Sequence, residues 1–78
     1  MQKIKLIWDF RCQDAEKIAV HHEIHLKEFI QAEALAPIIT GYEIKNELHA
    51  IAFMIVEKSN MIAMRDALKP HRGELFEK

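Results

Sequence analysis

Residues 48–57, LHAIAFMIVE, constrain the fold more than any other stretch of the chain. Side chains alternate along an extended backbone, so Ile51, Phe53 and Ile55 share one face and Ala50, Ala52, Met54 and Val56 the other. Both faces are apolar. A strand of this kind belongs in the middle of a sheet with something packed on each side. The question is what the rest of the chain supplies for each face.

The first segment, KIKLIWDF, also alternates, with Ile4, Leu6, Trp8 and Phe10 on one side and Lys3, Lys5, Ile7 and Asp9 on the other. It reads as a strand with one face on a core. From Ala15 to about Ala34 the period lengthens to 3–4 residues. Ala15, Ile18, Ala19, His22, Leu26, Phe29 and Ile30 then form one stripe of a helix. Asp14 is placed as its N-cap, Glu16 suits the first turn, and Pro37 marks the exit. PIITGYEIK alternates again, putting Ile38, Thr40, Tyr42 and Ile44 on one side, and Asn46 and Glu47 form a turn into the central strand. Ser59 or Asn60 caps a second helix with Met61, Met64, Ala67 and Leu68 as its stripe, ended by Pro70. GELFEK is left as a short fourth strand or a tail.

The element order is β-α-β-β-α with an optional last β, over residues 1–78 as one domain. A right-handed crossover through the first helix leaves room for the third strand beside the first. The expected class is therefore α+β, a ferredoxin-like antiparallel sheet with both helices on one face. The second apolar face of the central strand has no remaining element to cover it. Sheet-to-sheet pairing with a second copy is the simplest cover, because a large apolar patch is a liability in water. The size of the chain leaves a metal or a partner chain to make up its stability. A 78-residue domain is marginal alone, and its single cysteine, Cys12, excludes an internal disulfide.

The strand KLIWDF, the long helix, the hairpin into HAIAFMIVE and the following SNMIAMRDAL together resemble the small dimeric α/β-barrel proteins. The resemblance covers nearly the whole chain and rests on element order and apolar pattern. It implies a homodimer and a pocket between helices and sheet. That superfamily includes cofactor-free monooxygenases of polyketide quinones, small isomerases, haem-degrading enzymes and stress-responsive proteins, so it implies no single reaction.

A net charge of −1 without a basic stripe argues against nucleic acid as a partner. No apolar run reaches the roughly 18 residues needed to span a bilayer. The amino-terminal residues alternate where a signal peptide would run apolar, so cytoplasm is the expected compartment.

Chemistry concentrates in VHHEIHLKEF, residues 20–29, where His21, His22 and His25 fall within five positions. His22-Glu23-Ile24-His25 is one residue short of the zinc-protease pattern, which requires an i, i+4 pair with glutamate after the first histidine. On a helical wheel His22 lies roughly 20° from the centre of the apolar stripe. It is expected between helix and sheet, either as the polar group and base of a pocket or as a core histidine bonded to Tyr42, Thr40 or Trp8. His21 and His25 lie at one edge of the stripe with Glu28, giving a two-histidine, one-carboxylate set suited to zinc or iron, or a solvated polar edge.

Trp8, Arg11, Tyr42, His49 and Phe53 are the candidate ligand-binding residues, with His49 expected to meet His22 if its face adjoins the helix. Arg11 suits a carboxylate or phenolate. Cys12 is read as incidental, and the KPHRG segment as a solvated helix exit or an anion site in a dimer groove. The function expected from these residues is binding of a small, partly apolar molecule between helices and sheet by a homodimer. Its catalytic form would be cofactor-free proton transfer or oxygenation with His22 as base. The alternatives are metal binding and a non-catalytic structural or regulatory dimer.

Overall fold

A computed structural model describes residues 2–33 and 38–76. Strand β1 (Lys3–Phe10) leads to helix α1 (Ala15–Ala32), then to the hairpin of β2 (Ile39–Asn46) and β3 (His49–Glu57). A single 3-10 turn, Lys58–Asn60, enters helix α2 (Met61–Leu68), and β4 (Arg72–Phe76) completes the chain. GELFEK thus contributes a strand, with residues 77–78 outside the described part, as is Pro37.

The four strands form one antiparallel sheet in the order β2-β3-β1-β4. The third strand lies beside the first, and this α+β arrangement is compatible with a ferredoxin-like fold. The register pairs Leu6 with Met54, Trp8 with Ala52 and Phe10 with Ala50, so these residues share one face. Leu6, Trp8, Met54 and Val56 are buried there with Leu26 of α1. Met61, Met64 and Leu68 of α2 pack on the same cluster, which puts both helices on one side of the sheet. Ala15, Ala19 and Ala50 are fully buried together. Their small side chains let the amino-terminal half of α1 lie close on the sheet.

Local details depart from the sequence reading in physically simple ways. Asp14 sits at the N-cap but makes no side-chain cap bond. The Ala15 N–H instead donates to the Cys12 carbonyl at 3.1 Å. Ala67, expected in the apolar stripe of α2, is exposed, because this two-turn helix meets the core only through Met61, Met64 and Leu68. The β2–β3 turn is held by the Asn46 side chain, whose Oδ1 accepts the Leu48 N–H at 2.8 Å. Lys69 ends α2 in the left-handed region, at φ 50°.

The opposite face of the sheet carries Ile7, Ile51, Phe53 and Ile55, in line with the alternation. No helix packs on it among the described residues. The apolar strip is nonetheless less open than its pattern suggests: Ile7 and Ile51 are each only 1% exposed and Ile55 7%. Charged side chains reach across the strands above it. Lys5 of β1 crosses the Phe53 ring, 4.5 Å from its centroid, to meet Glu43 of β2 at 3.1 Å. Arg72 of β4 and His49 of β3 meet on Asp9 of β1. These two straps cover part of the strip within one chain. Phe53 itself lies down over Gly41, where a Cβ would come within 2.6 Å of its Cζ atom.

Candidate functional site

The close approach of α1 at Ala15 and Ala19 brings His22, one turn further on, against β1. Its ring lies 4.9 Å from Trp8 and 5.5 Å from Phe10, centroid to centroid. Phe10 also faces His71, at 6.3 Å. His22 is therefore in the helix–sheet layer, as its place on the stripe predicts. The hydrogen bonds expected of a core histidine are missing. Trp8 Nε1 donates to the Leu68 carbonyl at 3.1 Å, and Thr40 Oγ1 donates to Glu23 at 3.1 Å. Tyr42 is 41% exposed. His22 Nε2 is buried and has no hydrogen-bond partner. Desolvation, and then the nearby imidazoles of His25, His71 and His21, hold its pKa below the usual 6.5.

Next to this ring is an open cleft of about 440 Å³ lined by Ile18, His21, His22, His25, Phe29 and Leu68. It combines an apolar wall with three imidazoles. His21 and His25, both exposed, stand one above the other on α1 with their Nε2 atoms 3.0 Å apart. Glu28 does not complete the ligand set expected with them: among the described residues no group of three or more His, Cys, Asp or Glu side chains is placed to hold a metal ion.

The other candidate residues do not form one pocket. Trp8 and Tyr42 lie on the helix side of the sheet, while Phe53 and His49 lie on the opposite side with Ile7 and Ile51. The sheet itself separates His49 from His22, so their expected convergence fails. The cause is register: Asp9 pairs with Ile51, which puts the carboxylate next to His49. Arg11 is exposed after the end of β1, and Cys12 is an exposed free thiol.

His49 belongs to a charged cluster that sequence reasoning missed. Its Nε2 is 2.9 Å from Asp9 Oδ1, and Arg72 Nε donates to Asp9 Oδ2 at 2.9 Å. Arg72 also pairs with Glu74 through Nη1. The Arg72 hydrogen bond, helped by His49 and opposed by partial burial, holds the Asp9 carboxyl down at about 2. His71 fixes the same corner, its Nδ1 accepting the Asp9 N–H at 2.9 Å. Asp9 stands on the polar side of the β1 alternation, but only strand pairing shows that it meets residues 40 and 63 positions away.

Comparison with family models, curated proteins and solved structures finds no match to this chain. Among the described residues no helix is long and apolar enough to cross a membrane.

Proposed function

We propose that the protein binds a small, partly apolar molecule at the cleft beside His22, and that it does so as a ferredoxin-like homodimer paired through the open face of its sheet. The observation that carries the binding site is the unpartnered, buried Nε2 of His22. Buried polar groups are nearly always hydrogen-bonded, and leaving one unpaired costs about 1–3 kcal/mol. A ligand that moves the surrounding side chains aside, supplies one polar contact to His22 Nε2 and lays apolar surface on Phe29, Leu68 and Ile18 offsets that cost. The lowered pKa keeps the ring neutral at physiological pH, able to accept a proton or a hydrogen bond. In the catalytic form of this reading His22 is the base in proton transfer from, or oxygenation of, an activated aromatic. Trp8 and Phe10 hold its ring in place.

The dimer rests on the face opposite the helices, where Ile39 is 58% exposed and Phe53 is partly buried with no element above them among the described residues. The charged straps leave a partner less apolar area to cover than the bare strand pattern implies. Sedimentation at micromolar concentration tests this part: a well-folded monomer removes the dimer and leaves the His22 site standing.

A screen of small aromatic acids, phenols and quinones by NMR shift mapping tests the site. Expected are ligands that shift residues 18–29 and Leu68 and lose affinity in His22→Phe while the fold is retained. Ligands that bind His22→Phe as tightly as the parent chain refute the assignment.

A further inference from the structure

We infer that His21 and His25 form a two-imidazole chelate for a divalent ion with tetragonal coordination, Cu(II) above all. This site borders the cleft proposed for the His22 ligand, since His21 and His25 also line it, but it does not require that ligand. The helix sets its geometry: residues four apart stand on one face, and here the two Nε2 atoms meet in a hydrogen bond 3.0 Å long. The ring centroids are 4.5 Å apart and tilted at 58°, so the two rings are not stacked flat against each other. Both are exposed, and an ion can reach them without opening the core.

The separation is that of a hydrogen bond between the rings and is also close to that of two cis ligands on one ion. With metal–nitrogen bonds of about 2.0–2.1 Å, two nitrogens 3.0 Å apart subtend roughly 91–97° at the metal. That is the cis angle of a tetragonal or octahedral ion. A tetrahedral ion such as zinc requires about 3.3–3.4 Å between the same nitrogens. The donors agree with the angle, since imidazole suits copper and nickel and affinity in the divalent series peaks at Cu(II). The pair lacks a third protein ligand among the described residues, so water or an added ligand completes the coordination.

Binding requires both Nε2 lone pairs. In the metal-free pair one ring donates its Nε2 proton to the other, and that ring must shift to the tautomer with its proton on Nδ1. No net proton or electron is exchanged, and the ion stays Cu(II).

The test uses the full, untagged chain titrated with Cu(II) by calorimetry, with electron paramagnetic resonance on the bound ion. Expected are one ion per chain, nitrogen hyperfine structure from two imidazoles, and affinity for Zn(II) lower by at least about tenfold. His21→Ala and His25→Ala should each weaken Cu(II) binding by at least about tenfold. His25→Gln should do the same with helix content unchanged by circular dichroism, since both positions are exposed. His22→Phe should leave the affinity within about threefold. Copper affinity untouched by the His21 and His25 substitutions, zinc binding as tight as copper, or loss of copper with His22→Phe would each overturn the assignment.

Discussion

Replacing Asp9 by Asn keeps the shape of the side chain and removes its charge, leaving Arg72 and His49 facing a neutral amide that cannot accept from both at full strength. Asp9 is held at about 2 against a reference of 3.8, which corresponds to roughly 2 kcal/mol of native-state stability at neutral pH. Arg72 is 42% exposed at its side chain, so solvent screening reduces the figure, and a loss of about 1–2 kcal/mol is expected. The pH dependence separates this effect from simple loss of packing. A depressed carboxyl contributes fully above its unfolded pKa and loses its contribution as pH falls toward the folded value. The difference between parent and Asp9→Asn should therefore be constant above about pH 5, near half at pH 3, and small at pH 2. Urea denaturation of both proteins at pH 7, 5, 4 and 3 measures it. A difference that stays flat from pH 7 to pH 3, or no difference at pH 7, refutes the claim that Arg72 and His49 stabilise the charged form.

The remaining predictions concern single positions. His22→Phe should stabilise the ligand-free protein by about 1–3 kcal/mol, because it removes a buried nitrogen without a partner. The folded-state pKa of His22 is lowered, so its neutral form favours folding at neutral pH and stability falls as pH drops below 6.5. Thermal melts from pH 8 to pH 5 should show part of that fall missing in His22→Phe. Gly41→Ala should cost up to about 1 kcal/mol by lifting the Phe53 ring toward the uncovered face, and the cost should vanish in a Phe53→Ala background, as a double-mutant cycle measures. Lys69→Gly relieves a left-handed backbone position at the end of α2 and should stabilise by about 0.5–1 kcal/mol in chemical denaturation.

The linear sequence determined the elements and which side chains share a face. Period-two alternation in KIKLIWDF and HAIAFMIVE and the 3–4 spacing from Ala15 onward are properties of neighbouring residues. They hold whatever the elements later touch, and they placed Trp8, His22, Leu26 and Met54 in one layer. The i, i+4 approach of His21 and His25 is local in the same sense. Tertiary structure decided everything that depends on which strands pair and in what register. It set His49 beside Asp9 and on the far side of the sheet from His22. It turned the last residues into a strand that delivers Arg72 to the same carboxylate. It also stretched Lys5 over Phe53 to Glu43. An apolar pattern records what a side chain prefers to avoid, which is water. It does not record that long charged side chains from neighbouring strands can provide part of that shelter, because their reach is measured across the sheet and not along the chain.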